Sequence, residues 1–256
     1  MNRETVLATE GLTKRFGGLL ALHQVDVKIN RGEIVGLIGP NGSGKTTLFN
    51  CVSGFYKPEE GKVFLKGEEI TSLQAHQIAR KGVGRTFQLA KLFSNLTVLE
   101  NVMIAKHLMN RTGFLGSLLK SRNYRESESK AAQEAERLLN LVDLADKKKS
   151  VAKDLPYGSQ RLLTLAIALS FDPELILLDE PTAGMNHEEA EKLVKILRKI
   201  NEKGGTIFLV EHNMRFVMKL SQRIIALNYG EVICDGEPQV VCKDEAVCAA
   251  YLGGAL

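Results

Sequence analysis

Short runs of alternating apolar and polar residues open the chain. Within residues 5–30 they are interrupted by Gly17-Gly18, and further along residues 61–65 and 68–70 flank Lys66-Gly67. Alternation places one face of a strand against a core and the other in water, and glycines at such breaks mark turns. The pattern predicts an antiparallel sheet at the N-terminus, followed by a hairpin.

Three other runs are apolar without alternation, which is typical of parallel strands buried on both faces. They cover residues 34–38, 174–178 and 206–210. A helical pattern that Asn186-x-x-Glu189 would cap separates the last two. Two more short strands are expected within residues 222–236. The order of strand, helix and strand predicts an α/β core.

No strand-like run appears between residue 88 and about residue 174. Thr97-x-x-Glu100 is typical of a capping box and predicts a helix through Ile104. Further on, apolar residues recur every three or four positions and predict one stripe on a helix. The stripe consists of Ala131, Ala135, Leu138, Val142 and Ala145. Together these patterns predict a helical insertion over about residues 89–168.

Composition narrows the function classes. The net charge of +4 is mild and spread along the 256 residues, which gives no argument for nucleic acid as a partner. The longest apolar stretch, Leu162–Phe171, has only about half of the roughly twenty residues that a membrane helix needs. No signal-type apolar segment follows the N-terminus. We therefore expect a chain that neither spans a membrane nor is exported. Four cysteines at no metal-ligand spacing are expected to be free thiols.

A glycine-rich segment links the first buried strand to a helical run. It reads Gly39-Pro40-Asn41-Gly42-Ser43-Gly44-Lys45-Thr46, followed by Thr47. Glycines let the backbone turn its N–H groups inward, and a helix beginning near Ser43 adds the positive end of its dipole. Lys45 supplies a cation for the β- and γ-phosphates, and the Thr46 hydroxyl is placed to bind Mg²⁺. The segment predicts a nucleoside triphosphate site.

Polar residues follow the two later buried strands. Because ligands bind at the carboxyl ends of strands in open α/β sheets, Asp179 suits Mg²⁺ held through the metal's own waters. Glu180 can orient or deprotonate an attacking water, and His212 can contact the γ-phosphate. The alternatives are a solvated strand end for the two acids and a core histidine satisfied by backbone for His212. Gln88 could bind the metal or the water, or have neither role.

These residues together resemble the nucleotide-binding subunit of an ABC transporter over essentially the whole chain. Gln88 matches the Q-loop glutamine, Leu155–Arg161 stands at the signature position and Pro181–Asn186 at the D-loop. His212 matches the switch histidine. Phe16 alone would be an aromatic that packs at a turn, but it matches the family's adenine-stacking aromatic.

The resemblance implies an ABC ATPase fold, a single domain of residues 1–256. Residues 1–88 and 169–256 would form the nucleotide-binding α/β core with its antiparallel β-subdomain, and residues 89–168 the helical subdomain that carries the signature. ATP and Mg²⁺ are the implied cofactors. The implied metal residues are Thr46, Gln88 and Asp179. The implied signature contacts to nucleotide are Tyr157, Gly158 and Ser159. The implied catalytic residues are Glu180, His212, Lys45 and Gln88.

The signature departs from the commonest form of the family. Pro156 stands where a serine often contacts the γ-phosphate across the dimer, Tyr157 replaces a glycine, and Ser159 replaces a glutamine. Proline removes a hydroxyl and a backbone donor, so that contact must rest more on Gly158 and Ser159. Asn186 replaces the usual D-loop aspartate, which weakens a polarising role for this loop. Since none of these changes touches the loop lysine or the strand-end acids, hydrolysis is expected to survive.

Within the family the chain most resembles the cytoplasmic ATPase of branched-chain amino acid importers. Matching segments include Arg15–Leu19, Arg85–Gln88, Leu96–Asn101, Val210–Met214 and Ala250–Gly253. The resemblance implies a homo- or heterodimer of ATPase subunits on two membrane permeases, indirectly served by a solute-binding protein, at the cytoplasmic face of the membrane. Nucleic acid is not an expected partner. Alternatives are another ABC system, such as lipopolysaccharide export, and a soluble non-transport ABC ATPase. A P-loop kinase would need neither the adjacent acids nor the signature segment.

Overall fold

The computed structural model describes residues 4–86, 92–109 and 122–252. The chain divides into two compact units. The core unit comprises Met1–Gln88, Glu174–Ala183 and Leu197–Leu256, and the helical unit comprises Leu89–Pro173 and Gly184–Ile196.

All strands found in the described residues belong to two sheets of the core unit. They are β1 (Thr5–Phe16), β2 (Leu19–Asn30), β3 (Ile34–Ile38), β4 (Glu60–Leu65), β5 (Glu68–Glu69), β6 (Val83–Thr86), β7 (Leu175–Asp179), β8 (Ile207–Val210), β9 (Arg223–Asn228) and β10 (Glu231–Gly236). The first sheet is antiparallel, in the order β2-β1-β4-β5. It confirms the predicted N-terminal sheet and hairpin.

The second sheet has the order β10-β9-β3-β8-β7-β6. All its pairings are parallel except that between β9 and β10. Every residue of β3, β7 and β8 is buried, which confirms the unbroken apolar runs as interior parallel strands. Because β8 lies between β3 and β7, the segments that follow these three strands leave the same edge of the sheet.

Helices occur in both units of the described chain. They are α1 (Lys45–Val52), α2 (Ala75–Arg80), α3 (Val98–Met109), α4 (Arg122–Leu141), α5 (Tyr157–Leu169), α6 (His187–Glu202), α7 (Met214–Leu220), α8 (Pro238–Val241) and α9 (Glu245–Leu252). The helix after the glycine-rich segment begins at Lys45, slightly later than the predicted start near Ser43. No helix within the described ranges is long and apolar enough to cross a membrane.

Two capping boxes fix helix starts in the helical unit. The Thr97 N–H donates to Glu100 Oε2 at 2.7 Å, and the Glu100 N–H donates to Thr97 Oγ1 at 3.2 Å. Asn186 and Glu189 make the same reciprocal pair at 3.0 and 2.9 Å before α6. Both predicted caps are confirmed, although α3 continues to Met109 instead of ending at Ile104.

The predicted stripe after residue 130 outlasts its helix. Helix α4 ends at Leu141, and Asp143 has a left-handed backbone with φ of 60°. Val142 is buried beyond the helix end, and Ala145 begins a separate 3₁₀ turn. The prediction that all five apolar positions share one helix is wrong at these last two, because a left-handed residue ends a right-handed helix.

Aromatic packing holds α1 against the parallel sheet. The rings of Phe49 on α1 and Phe208 on β8 lie 4.9 Å apart between centroids, and both side chains are fully buried. Cys51 is buried on the same helix, and the four cysteines are free. The start of α1 is thereby fixed at the edge where β3 ends.

Candidate nucleotide site

The glycine-rich segment forms a tight loop between β3 and α1. A Cβ on Gly39 would lie 2.2 Å from the Leu227 carbonyl oxygen, and one on Gly44 would lie 2.6 Å from the Ala21 carbonyl oxygen. Gly44 also has φ of 104°, in the left-handed region. A side chain at either position would therefore displace backbone from β2 or β9, and only glycine fits at these two positions.

Lys45 folds back over the loop. Its ammonium donates to the carbonyl oxygens of Gly39 and Pro40, each at 2.8 Å. Burial lowers the pKa of Lys45, and the nearby Glu180 carboxylate opposes that change. The cation is thus held at the loop, facing the acid that follows β7.

A pocket of about 360 Å³ opens at this loop. It brings together residues from five separate segments of the core unit. Its lining residues are Phe16, Leu19, Leu20, Ala21, Asn41, Gly42, Gly44, Lys45, Thr46, Thr47, Glu180, His212 and Tyr229. Its volume is in the range of cofactor pockets, and Phe16 stands at it with 42% of its surface exposed. The packing alternative for Phe16 has partial support, since its ring meets Tyr56 edge-on at 5.2 Å.

Glu180 and His212 meet at the edge of the parallel sheet. Glu180 follows β7 directly with a left-handed backbone, φ 46°, and His212 stands two residues beyond β8. His212 Nε2 lies 3.1 Å from Glu180 Oε1. The two side chains that the sequence placed on neighbouring strands are therefore hydrogen-bonded partners within the pocket.

A model of the ABC transporter family matches residues 22–183. The chain belongs to the ABC transporter family.

Relatives of this family member align along nearly its whole length. It is 43% identical over 251 residues to the high-affinity branched-chain amino acid transport ATP-binding protein BraF of Pseudomonas aeruginosa, with 98% of both chains covered. It is 42% identical over 253 residues to the corresponding protein LivG of Escherichia coli, covering 98% of this chain and 99% of LivG. The lipopolysaccharide export system ATP-binding protein LptB of Haemophilus influenzae is 31% identical over 249 residues, with 97% and 98% covered.

Solved ABC cassettes share the fold. The ADP conformation of the cassette MJ1267 superposes with a TM-score of 0.84 at 29% identity, covering 97% of this chain and 99% of that chain. The dimeric MJ0796 cassette bound to ADP and Pi has a TM-score of 0.76 at 28% identity, covering 91% and 98%. These comparisons confirm the predicted α/β fold of an ABC ATPase. The chain is a nucleotide-binding ATPase of this family.

The segment that the sequence predicts as the signature, Leu155–Arg161, lies in the helical unit. Helix α5 begins at Tyr157 with Pro156 as its N-cap, so Gly158 and Ser159 occupy the first turn. Half-exposed Tyr157 accepts a hydrogen bond from Arg161 Nη2 at 2.7 Å. The Lys147 ammonium donates to Ser159 Oγ at 3.3 Å. Gln88, the predicted Q-loop residue, lies outside the described residues.

Asp179 has a partner that the sequence analysis missed. Arg85 on β6 donates from Nη2 to Asp179 Oδ2 at 3.0 Å, and from Nη1 to Asn50 Oδ1 at 2.8 Å and Ser53 Oγ at 2.6 Å. The sequence did offer a signal, an arginine inside the short strand β6. A cation that lies beside a buried strand such as β7 needs an acidic partner. Arg85 therefore links the Asp179 carboxylate to the C-terminal end of α1, the helix that follows the glycine-rich loop.

The donor set at this edge fits Mg²⁺. Thr46 offers a hydroxyl in the pocket, and Asp179 offers a carboxylate at the end of β7. Mg²⁺ in nucleotide sites takes one or two carboxylates together with phosphate oxygens and waters, so two protein oxygens are sufficient.

Proposed function

We propose that this ATPase powers an ABC importer for branched-chain amino acids. The proposal rests chiefly on one observation, the identity of 42–43% across 98% of the chain to two transport ATP-binding proteins for that solute class. The relative from a lipopolysaccharide export system is less similar at 31%, which makes export the second candidate.

The pocket's own residues suit ATP hydrolysis. Phe16 would stack on the adenine, and backbone N–H groups of the glycine-rich loop would hold the phosphates. Lys45 Nζ would exchange the carbonyls of Gly39 and Pro40 for β- and γ-phosphate oxygens. Each exchange replaces a neutral acceptor with a charged one, which strengthens the hydrogen bond.

Glu180 is the residue we assign to the attacking water. Its carboxylate would take a proton from the water as the new O–P bond forms and the bond from the γ-phosphorus to the ADP oxygen breaks. His212, 3.1 Å away, would fix the carboxylate and contact the γ-phosphate. Gln88 would supply a further metal or water contact, as its family position implies.

Thr46, Gln88 and Asp179 would hold Mg²⁺. When bound, the metal would neutralise charge on the β- and γ-phosphates. Arg85 would keep the Asp179 carboxylate aimed at that position through its 3.0 Å hydrogen bond.

The proposed working form is a head-to-tail dimer of ATPase subunits on two permeases at the cytoplasmic face of the membrane. A solved cassette of this family is dimeric with ADP and Pi. In the proposed dimer, Tyr157, Gly158 and Ser159 of one subunit complete the other's site, and the N-terminus of α5 supplies positive potential. The helical subdomain, residues 89–168, would transmit closure to the permeases.

Affinity purification of the protein from gently solubilised native membranes, followed by mass spectrometry, tests the proposal. Two permeases and a second ATPase are expected to co-elute, and deleting their genes should abolish leucine, isoleucine and valine uptake at low concentration. Co-elution of lipopolysaccharide export components would favour the second candidate. Ribosomal or DNA-repair proteins without a permease would remove transport and leave the ATPase.

A further inference from the structure

Glu211 is a buried carboxylate with a ready set of donors. It follows β8 directly and only 3% of its surface is exposed. Oε1 accepts from the Thr182 N–H at 2.7 Å and from Thr182 Oγ1 at 2.6 Å. Oε2 accepts from the N–H groups of His212 at 3.0 Å and Asn213 at 3.3 Å. Burying a carboxylate costs free energy unless hydrogen bonds compensate for the lost water. These four bonds supply that compensation, and because each oxygen has two donors they also fix the orientation of the carboxylate.

The two oxygens of the Glu211 carboxylate bond to the two loops that carry Glu180 and His212, the proposed catalytic pair. Thr182 lies two residues after Glu180, and His212 is the next residue along the chain from Glu211. Glu180 has a left-handed backbone that residues with a side chain adopt at an energetic cost. Its loop is closed by an Ala183 N–H bond to the Glu180 carbonyl at 3.1 Å, and Glu211 anchors that turn through Thr182.

We propose that Glu211 is a positioning residue for hydrolysis. By holding the loop after β7 to the loop after β8, it sets the 3.1 Å approach of His212 Nε2 to Glu180 Oε1. The inference rests on the proposed role of Glu180. It adds that the pair is aligned by a carboxylate that is not part of the pocket lining.

The test is a steady-state ATPase assay on the full chain, paired with titration of a fluorescent ATP analogue. Glu211→Gln replaces one acceptor oxygen by an NH₂ group that faces two backbone or hydroxyl donors. We expect kcat to fall by about tenfold or more while KM and ATP affinity change by less than about threefold. The reason is that the glycine-rich loop, which we propose binds the phosphates, follows β3, whereas Glu211 joins the loops after β7 and β8. Thr182→Val should lower kcat in the same way, and Thr182→Ser should restore it.

Glu33→Gln is the matched control. Glu33 is also a buried carboxylate, 7% exposed, but its partners are the Asn30 N–H and Arg223, just before β3 begins. This variant should lose stability without losing kcat. A Glu211→Gln loss of kcat no greater than that of Glu33→Gln, measured at an equal folded fraction, would reduce Glu211 to a structural role.

The double variant separates positioning from general damage. If Glu211 acts through Thr182, adding Thr182→Val to Glu211→Gln should cost less than about twofold more in kcat. Full additivity would overturn the proposal. Glu180→Gln in the same assay tests the underlying assignment independently: a native rate there would remove the catalytic role of Glu180, whatever Glu211→Gln shows.

Discussion

At the residue scale, Arg85 and Asp179 form an ion pair in the interior of the core unit. Their side chains are 7% and 11% exposed. Arg85→Gln leaves the carboxylate buried without its cation, and removing one partner of a buried pair costs about 3–5 kcal/mol. We therefore expect a large drop in the urea midpoint of unfolding. Arg31→Gln, which breaks exposed pairs with Glu4 and Glu174, should leave the midpoint almost unchanged. Equal losses would show that burial of the pair is unimportant.

Cys51 gives a second prediction at this scale. Burial raises the pKa of its thiol to about 12, so the thiolate that reacts with alkylating agents is scarce even at pH 9. Iodoacetamide should modify exposed Cys242 and Cys248 in the folded protein and reach Cys51 only after unfolding. Peptide mapping by mass spectrometry before and after urea treatment measures this. Rapid labelling of Cys51 in the folded protein would contradict its burial on α1.

The place of a single residue in the site was predictable where the sequence signal lies within one contiguous segment. The convergence of Lys45, Glu180 and His212 at one site could be predicted from spacing and from the strands before them, while their roles stay predictions. The pairings of Arg85 with Asp179, Thr182 with Glu211 and Gly39 with Tyr251 join residues 94, 29 and 212 positions apart. Such pairings follow from the order of the strands, which local pattern does not specify.

At the scale of elements, the hydroxyl of Tyr251 joins α9 to the glycine-rich loop. The Gly39 N–H donates to Tyr251 Oη at 2.9 Å, while Lys45 Nζ donates to the carbonyl oxygen of the same glycine at 2.8 Å. Burial raises the pKa of Tyr251, so the phenol stays neutral at physiological pH. The first residue of the loop is thus held at both its N–H and its carbonyl oxygen.

Tyr251→Phe should loosen Gly39 by removing the acceptor of its N–H, and weaken ATP binding by about fivefold, because one net hydrogen bond contributes about 1 kcal/mol. Titration with a fluorescent ATP analogue measures the change, and thermal unfolding of the same sample is the control. A lower melting temperature with unchanged ATP affinity would show that the hydroxyl only attaches α9 to the core unit.

Element types followed the hydrophobic pattern more faithfully than element ends did. Both capping boxes placed helix starts correctly because the signal is local. The end of α4 was misplaced because Asp143 adopts a left-handed backbone while the apolar spacing continues to Val142, which is buried in the turn. Burial alone does not mark the residue where a helix stops.

At the scale of the whole molecule, the α/β class was predictable from two kinds of strand pattern. Alternation separated the antiparallel sheet from the buried parallel strands. The order β10-β9-β3-β8-β7-β6 was not predictable from pattern, since a buried strand is apolar whichever neighbours it has. That order brings the loop after β3 beside the segments after β8 and β7, where the site residues converge.

The proposed dimer yields the last prediction. Glu180→Gln preserves the size of the side chain but removes the base, so ATP should bind and persist with hydrolysis slowed by about a hundredfold or more. In the proposed dimer, uncleaved ATP would stay bound between the pocket of one subunit and the predicted signature segment of the other. The variant should therefore elute as a dimer with ATP on size-exclusion chromatography. Adding Lys45→Ala should abolish that dimer by removing nucleotide binding, and ADP should not support it. A monomer that retains ATP would contradict ATP-driven pairing of two copies and point to a sister ATPase as the partner.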